Sequence, residues 1–139
     1  MKKAGTKKRV WLRVLLGILI GIAVMVGGVV AFVLLGKEAT MAQNPKAVLM
    51  DNVADGIYEG SYTGFRWSNT LQVTVENHRI TDITVTQPQA VIKDETMASL
   101  EERVIESQSP DVDTVTGATI DSKAYLKAVE NALKSGLAK

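Results

Sequence analysis

Thr119 closes a run of small residues, Asp113-Thr114-Val115-Thr116-Gly117-Ala118-Thr119, that leads directly into a helical pattern from Asp121 to Ser135. Free main-chain N–H groups at a helix start, together with the positive end of its dipole, attract anions and phosphate in particular. Gly117 permits backbone angles and close approach that other residues forbid. Ala118 keeps the turn slim, and Thr116 or Ser122 can hydrogen-bond phosphate oxygens or cap the helix. Thr119 adds a hydroxyl at the same place. The same residues also suit a plain loop ending in caps, so the turn alone leaves both readings open.

Composition narrows the chemistry. The chain has no cysteine, which excludes a disulfide, a thiolate nucleophile, an iron–sulfur cluster and a lipid-bearing cysteine. His78 is the only histidine, which argues against a metal site, and it falls at a turn where exposure is expected. The net charge of +1 conceals two opposed regions. Residues 1–13 carry Lys2, Lys3, Lys7, Lys8, Arg9 and Arg13 and no acid. The part beyond residue 35 holds ten of the sixteen basic residues and all fifteen acids, a net −5. An acidic domain without a basic stripe does not suggest nucleic-acid binding.

The elements that must position the turn follow from periodicity. Val14 to Leu35 is 22 residues without a charge. As a helix that run is ~33 Å long, enough to cross a hydrocarbon core of ~30 Å. The basic residues before it place residues 1–13 in the cytoplasm and the rest outside, with Trp11 as an interfacial anchor. A signal peptide has a shorter apolar region, ~7–15 residues. Ala39-Thr40-Met41-Ala42 offers only a poor cleavage site, so retention as a single-pass anchor in the cell membrane is expected. Gly17 and Gly21 form a GxxxG spacing, which fits helix packing or simply a glycine-rich span.

Residues 36–53 read as a tether, with Pro45, no sustained period and at most a helical turn near Ala47 to Met50. The domain then runs from 54 to 139. Ile57 to Tyr62 is a strand between glycines, and Leu71, Val73 and Val75 alternate with polar residues in a second. Asn77-His78 makes a turn, and Arg79 to Thr86 completes a hairpin that Pro88 ends. From Asp94 or Glu95 the period becomes helical, with Met97, Leu100 and Val104 inward and Glu101, Glu102 and Glu106 outward. In the last helix Tyr125, Ala128, Val129, Ala132 and Leu133 face inward, while Lys123, Lys127, Glu130 and Lys134 mostly face out. Asp121 or Ser122 is the expected N-cap and Gly136 the stop. The fold class is therefore α+β: a small antiparallel sheet packed with helices, preceded by one N-terminal transmembrane helix.

Several motifs in order resemble the FMN-binding domain family: Asp55-Gly56-Ile57-Tyr58-Glu59-Gly60, Gly64-Phe65, Val73 to Asn77 with Arg79-Ile80, Asp94-Glu95-Thr96, Gln108-Ser109 and Val112 to Thr119. The family includes peripheral flavin subunits of sodium-pumping quinone reductases and Rnf complexes, and small membrane-anchored electron carriers. The resemblance covers about Asp55 to Leu133. It implies FMN as cofactor, joined as a phosphoester to Thr119, with Thr116, Gly117, Ala118, Asp113 and Ser122 around it. A separate flavin transferase would install the group from FAD with Mg²⁺. That suits the residues, because a threonine hydroxyl is a poor nucleophile without an adjacent base. Asp113 would shape the turn or help that enzyme orient Thr119.

Two positions depart from the family pattern. Asp121 stands where the family has a small hydroxyl residue, and a carboxylate near a phosphate is unfavourable by ~1 kcal/mol or more when both are partly buried. Arg66-Trp67-Ser68 replaces the glycine that often follows Gly-Phe. Arg66 is a surface cation or a counter-charge to flavin or phosphate; Trp67, Tyr58, Tyr62 and Phe65 are core residues or a stacking wall. The resemblance implies a membrane-tethered, extracytoplasmic electron carrier passing electrons from a membrane redox donor to an acceptor the sequence does not name, with no catalytic residue of its own. The alternatives are a non-redox interaction or ligand-binding module with unmodified Thr119, and a flavin-dependent reductase with an open substrate pocket.

Overall fold

The computed structural model describes residues 4–137; Lys2 and Lys3 of the basic tail, and the last two residues of the expected domain, lie outside them. The chain divides into two compact units, one ending at Leu35 and one beginning at Gly36. The first is a single helix, α1 (Ala4–Leu34), so Lys7, Lys8, Arg9 and Arg13 are helical along with the apolar run. Its large apolar side chains are exposed throughout, Trp11 by 70 % and Val24 by 69 %. A helix this long and apolar suits a membrane span or a signal sequence.

The second unit is α+β. Strands β1 (Gly56–Tyr62), β2 (Asn69–Glu76) and β3 (Arg79–Gln87) form an antiparallel sheet in the order β1-β2-β3. Tyr58 stands opposite Val73 and Gly60 opposite Leu71; across the hairpin Val73 meets Ile83. The alternation along β2 sends Asn69, Leu71, Val73 and Val75 into the interior. There they meet Leu100 and Val104 from α3 (Asp94–Ser107) and Tyr125, Val129 and Leu133 from α4 (Thr119–Ser135). Apart from Asn69, whose amide donates to the Ala124 carbonyl at 3.2 Å, each of these seals an apolar side chain from water, at roughly 25 cal/mol per Å² of area removed. The sheet thus has one covered face, as the period-2 pattern requires.

Helix α4 is the element on which the rest is stacked. It comes so close to β1 that a Cβ on Gly60 would lie 2.1 Å from the Ala128 carbonyl oxygen. Glu130, expected toward solvent, is only 1 % exposed, with its carboxylate enclosed by Lys127 (2.8 Å) and Lys134. Burial pushes the Glu130 carboxyl up, yet the two lysines bring it below its ordinary value.

Residues 36–53, expected as a tether, are instead folded onto the domain. Gly36 takes φ +80° and a short helix α2 (Lys37–Met41) follows. Thr40 is fully buried and its hydroxyl accepts a bond from the Tyr62 hydroxyl at 3.0 Å. Lys123 Nζ donates to the Met41 carbonyl (2.6 Å) and to Asn44 Oδ1 (3.3 Å). The helical turn expected near Ala47 to Met50 lies slightly later, at Met50–Asn52. Val53 is fully buried and bridges to Leu137.

The β2–β3 turn is pinned from the same segment. Asn77 and His78 both have positive φ (52° and 58°), the pair of conformations that a two-residue hairpin turn demands. The Asp55 carboxylate accepts both their main-chain N–H groups at 2.9 Å. His78 is exposed, but its Nδ1 bonds the Val53 carbonyl at 2.8 Å.

Two outcomes test this packing. Gly60→Ala should lower the unfolding free energy by about 1–3 kcal/mol, since α4 or β1 must shift; an unmoved denaturation midpoint would contradict the close approach. The two main-chain N–H groups hold the Asp55 carboxyl below its ordinary 3.8. A depressed folded pKa contributes stability above the unfolded value and loses it as pH falls through the folded one. Asp55→Ala should therefore be less stable than the native protein at neutral pH, with the gap closing below pH 3.8. A pH-independent gap in thermal melts would refute the role.

Candidate functional site

The loop that carries Thr119 is fixed at three points before α4 begins. At the end of α3, Gln108 adopts φ 55° and its side-chain amide pairs with a main chain as a strand would. Gln108 Oε1 accepts the Ile80 N–H at 2.7 Å, and its Nε2 donates to the carbonyls of Ile80 (3.0 Å) and Ile105 (2.6 Å). Arg103 then donates to the carbonyls of Asp113 (2.9 Å) and Thr114 (3.3 Å). Finally the Val115 N–H donates to Ser122 Oγ at 3.0 Å, while that hydroxyl donates to the Ala118 carbonyl at 2.7 Å.

Between the last two ties the chain makes a turn. The Ala118 N–H reaches the Val115 carbonyl at 3.0 Å, and Gly117 holds φ +81° at the third position. A turn with positive φ there favours glycine. A Cβ at Gly117 would meet nothing within 4 Å, so the demand is conformational and not one of space. Thr116, Gly117 and Thr119 are exposed at its outer side.

Helix α4 begins two residues earlier than Asp121, the first of the two caps expected, because the turn hands the chain straight into helical geometry. Ala118 occupies the cap position and offers no side-chain bond; the Asp121 carboxylate engages its own main-chain N–H, which leaves those of Thr119 and Ile120. Those N–H groups have no partner within the helix either, which leaves the dipole's positive end open beside Thr119. Ser122 lies within the first turn of α4, is fully buried, and commits its hydroxyl to the turn. It positions the loop and does not face outward. Asp113 acts on the loop through its carbonyl, while its side chain lies on an open groove with Arg103, Glu106 and Asp111.

Two cavities flank the turn. One, of about 370 Å³, is lined by Thr119, Asp121, Arg66, Trp67, Lys37 and Met41 together with Gly117, Ala118 and Ile120. The other, of about 260 Å³, has Thr116, Thr96, Lys93, Val91 and Ile92 against Gly117, Ala118 and Asp121. Of the four aromatic residues considered, Trp67 alone reaches the first cavity, with the Arg66 guanidinium 4.3 Å from its ring centre. Tyr58 bonds the Ala54 carbonyl, Tyr62 bonds Thr40, and Phe65 is 63 % exposed beside Gly36.

Asp121 and Arg66, the two departures from the family pattern, therefore share one cavity. Burial pushes the Asp121 carboxyl up, and the Arg66 guanidinium, the main-chain N–H of Asp121 itself and the Trp67 indole oppose the rise. Gln89, 5 % exposed, donates to the Asp121 carbonyl at 2.8 Å. Lys37, Met41, Arg103 and Gln89 were not singled out from sequence.

These features fit the phosphate end of a flavin nucleotide: main-chain amides and cations for the phosphate and an exposed hydroxyl beside them, while Trp67, 1 % exposed beneath the Arg66 guanidinium, is a core residue behind the cavity. The FMN-binding domain family matches residues 64–134, slightly more than half of the chain. The chain belongs to the FMN-binding domain family. It is also similar, at 35 % identity over 85 residues, to an uncharacterized protein of Treponema pallidum (strain Nichols). That match takes in 58 % of this chain and 23 % of the relative, so the chain spans under a quarter of that protein's length.

Ser122→Ala leaves the Val115 N–H without its acceptor and should cost about 1–3 kcal/mol, read from chemical denaturation. Ser122→Thr, which keeps a hydroxyl, should recover part of the loss. Equal stability of Ser122→Ala and the native protein would refute the clamp.

Proposed function

We propose that this protein is a membrane-anchored, extracytoplasmic electron carrier whose FMN is joined by a phosphoester to Thr119. The observation that carries the reading is the placement of Thr119. It is exposed, it is the first residue of α4, and the helix start beside it is uncapped. The uncapped amides would hold the phosphate oxygens, and Arg66 and Lys37 would offset their charge. Met41, an exposed side chain, would lie against the ring system, with Trp67 buried behind Arg66 as support. Asp121, turned into a cavity shared with Arg66, does not stand as an uncompensated charge beside the phosphate.

No cysteine exists and the single histidine, His78, lies at the β2–β3 turn, so the poor nucleophilicity of a threonine hydroxyl supports attachment by an external flavin transferase. The bond formed is Thr119 Oγ1 to the flavin phosphate; the pyrophosphate bond of FAD breaks, AMP leaves, and the threonine proton passes to the transferase. When bound, FMN supplies one- or two-electron redox chemistry, and the protein supplies position and electrostatics. A covalent bond and a membrane anchor together keep the cofactor outside the cell, between a membrane donor and an acceptor. The basic residues preceding α1 support a cytoplasmic N-terminus.

The protein made in a host with a matched flavin transferase should gain the mass of one FMN less one water. Thr119→Ala made in parallel should not. Unmodified native protein, in cells where the transferase modifies a second substrate, would overturn the covalent reading and favour an interaction module. Protease added to intact spheroplasts should digest the domain; full protection would overturn the extracytoplasmic placement.

A further inference from the structure

The family match begins at residue 64, yet part of the cavity beside Thr119 is built from a segment well before it. Lys37 and Met41, the first and last residues of α2, line that cavity with Arg66, Trp67, Thr119 and Asp121. The segment does not rest there loosely. Thr40 is fully buried against Tyr62, and Lys123, one turn into α4 from Thr119, holds the Met41 carbonyl at 2.6 Å. At the other end Gly36 leaves no room for a side chain: a Cβ would lie 2.7 Å from Phe65 and 3.0 Å from the Gly64 carbonyl oxygen. Its φ of +80° also favours glycine.

The charges at this cavity make sense only with α2 included. Asp121 contributes one negative charge when ionised, and Arg66 one positive charge; alone they cancel. Lys37 adds a second positive charge and leaves a net +1, which matches the single charge of a phosphodiester. Arg66 Nε is buried without a partner among the described residues, as expected of a group that awaits an anion. Met41 gives the same cavity an exposed apolar side chain.

We propose that α2 is a wall of the flavin site, with Lys37 facing the phosphate and Met41 the ring system of FMN carried on Thr119. The inference rests on the reading of Thr119 given above. The segment that follows the apolar helix is thereby part of the cofactor site and not a free tether. A group that contacts both α4 and α2 holds them together, so loading the flavin must slow the opening of α2.

The test compares full-length native protein, in detergent micelles, made with and without the flavin transferase. Amide hydrogen exchange is followed across residues 37–42, with β2 as an internal reference, and intact mass is recorded on the same samples. Loading should slow exchange in α2 by about threefold or more while β2 is unchanged. Lys37→Ala/Met41→Ala, loaded to the same extent by mass, should lose that difference. Flavin present on Thr119 with equal exchange in α2 overturns this inference alone, as does a full difference in the double variant. No mass gain in the native protein overturns the reading of Thr119 and this inference with it.

Discussion

One buried hydroxyl decides where Thr119 stands. Ser122 Oγ takes the Val115 N–H and gives its own proton to the Ala118 carbonyl, so the turn before α4 is tied to the helix it precedes. A buried serine with both roles filled is costly to replace, because its loss strands a main-chain donor. The clamp leaves the tip of the turn exposed while its two ends are fixed. Thr119 is therefore held at the start of α4, where the cap residue Ala118 makes no side-chain bond to the helix. The sheet serves the same end: β1 and β2 pack under α4 closely enough that Gly60 tolerates no Cβ.

Electrostatics then connect the two positions at which this chain departs from its family. A carboxylate at position 121 would oppose a phosphate if it stood alone. Arg66 answers it from the loop after β1, stacked on Trp67, and Lys37 of α2 lines the same cavity. The two sequence departures meet in space, and the additional lysine comes from a segment that no family motif includes. Compensation across three separate elements is a property of the fold and not of any one motif.

Much of this was legible from residue types. Leu71, Val73 and Val75 alternate cleanly, and Asn77-His78 is a pair that accepts positive φ, so the hairpin could be read directly. Leu100 with Val104, and Val129 with Leu133, set the inner faces of α3 and α4. The start of α4 was misplaced because Asp121 and Ser122 are strong caps in isolation. Local propensity gave way to a tertiary bond once Ser122 had turned back to Val115. Helix α2 was invisible because five residues cannot display a helical period. What holds it, Thr40 on Tyr62 and Lys123 on Met41, joins positions 22 and 82 residues apart. Glu130 was placed outward by its charge, yet two flanking lysines let the carboxylate be buried.

The central claim is that the fold presents Thr119, and no neighbouring hydroxyl, to the flavin phosphate. Tandem mass spectrometry of the tryptic peptide running from Val104 to Lys123, taken from protein matured by a flavin transferase, addresses it directly. The account predicts that the added mass lies on Thr119, with Thr116 and Ser122 unmodified. Flavin on Thr116 or Ser122, or a peptide carrying none, would contradict it.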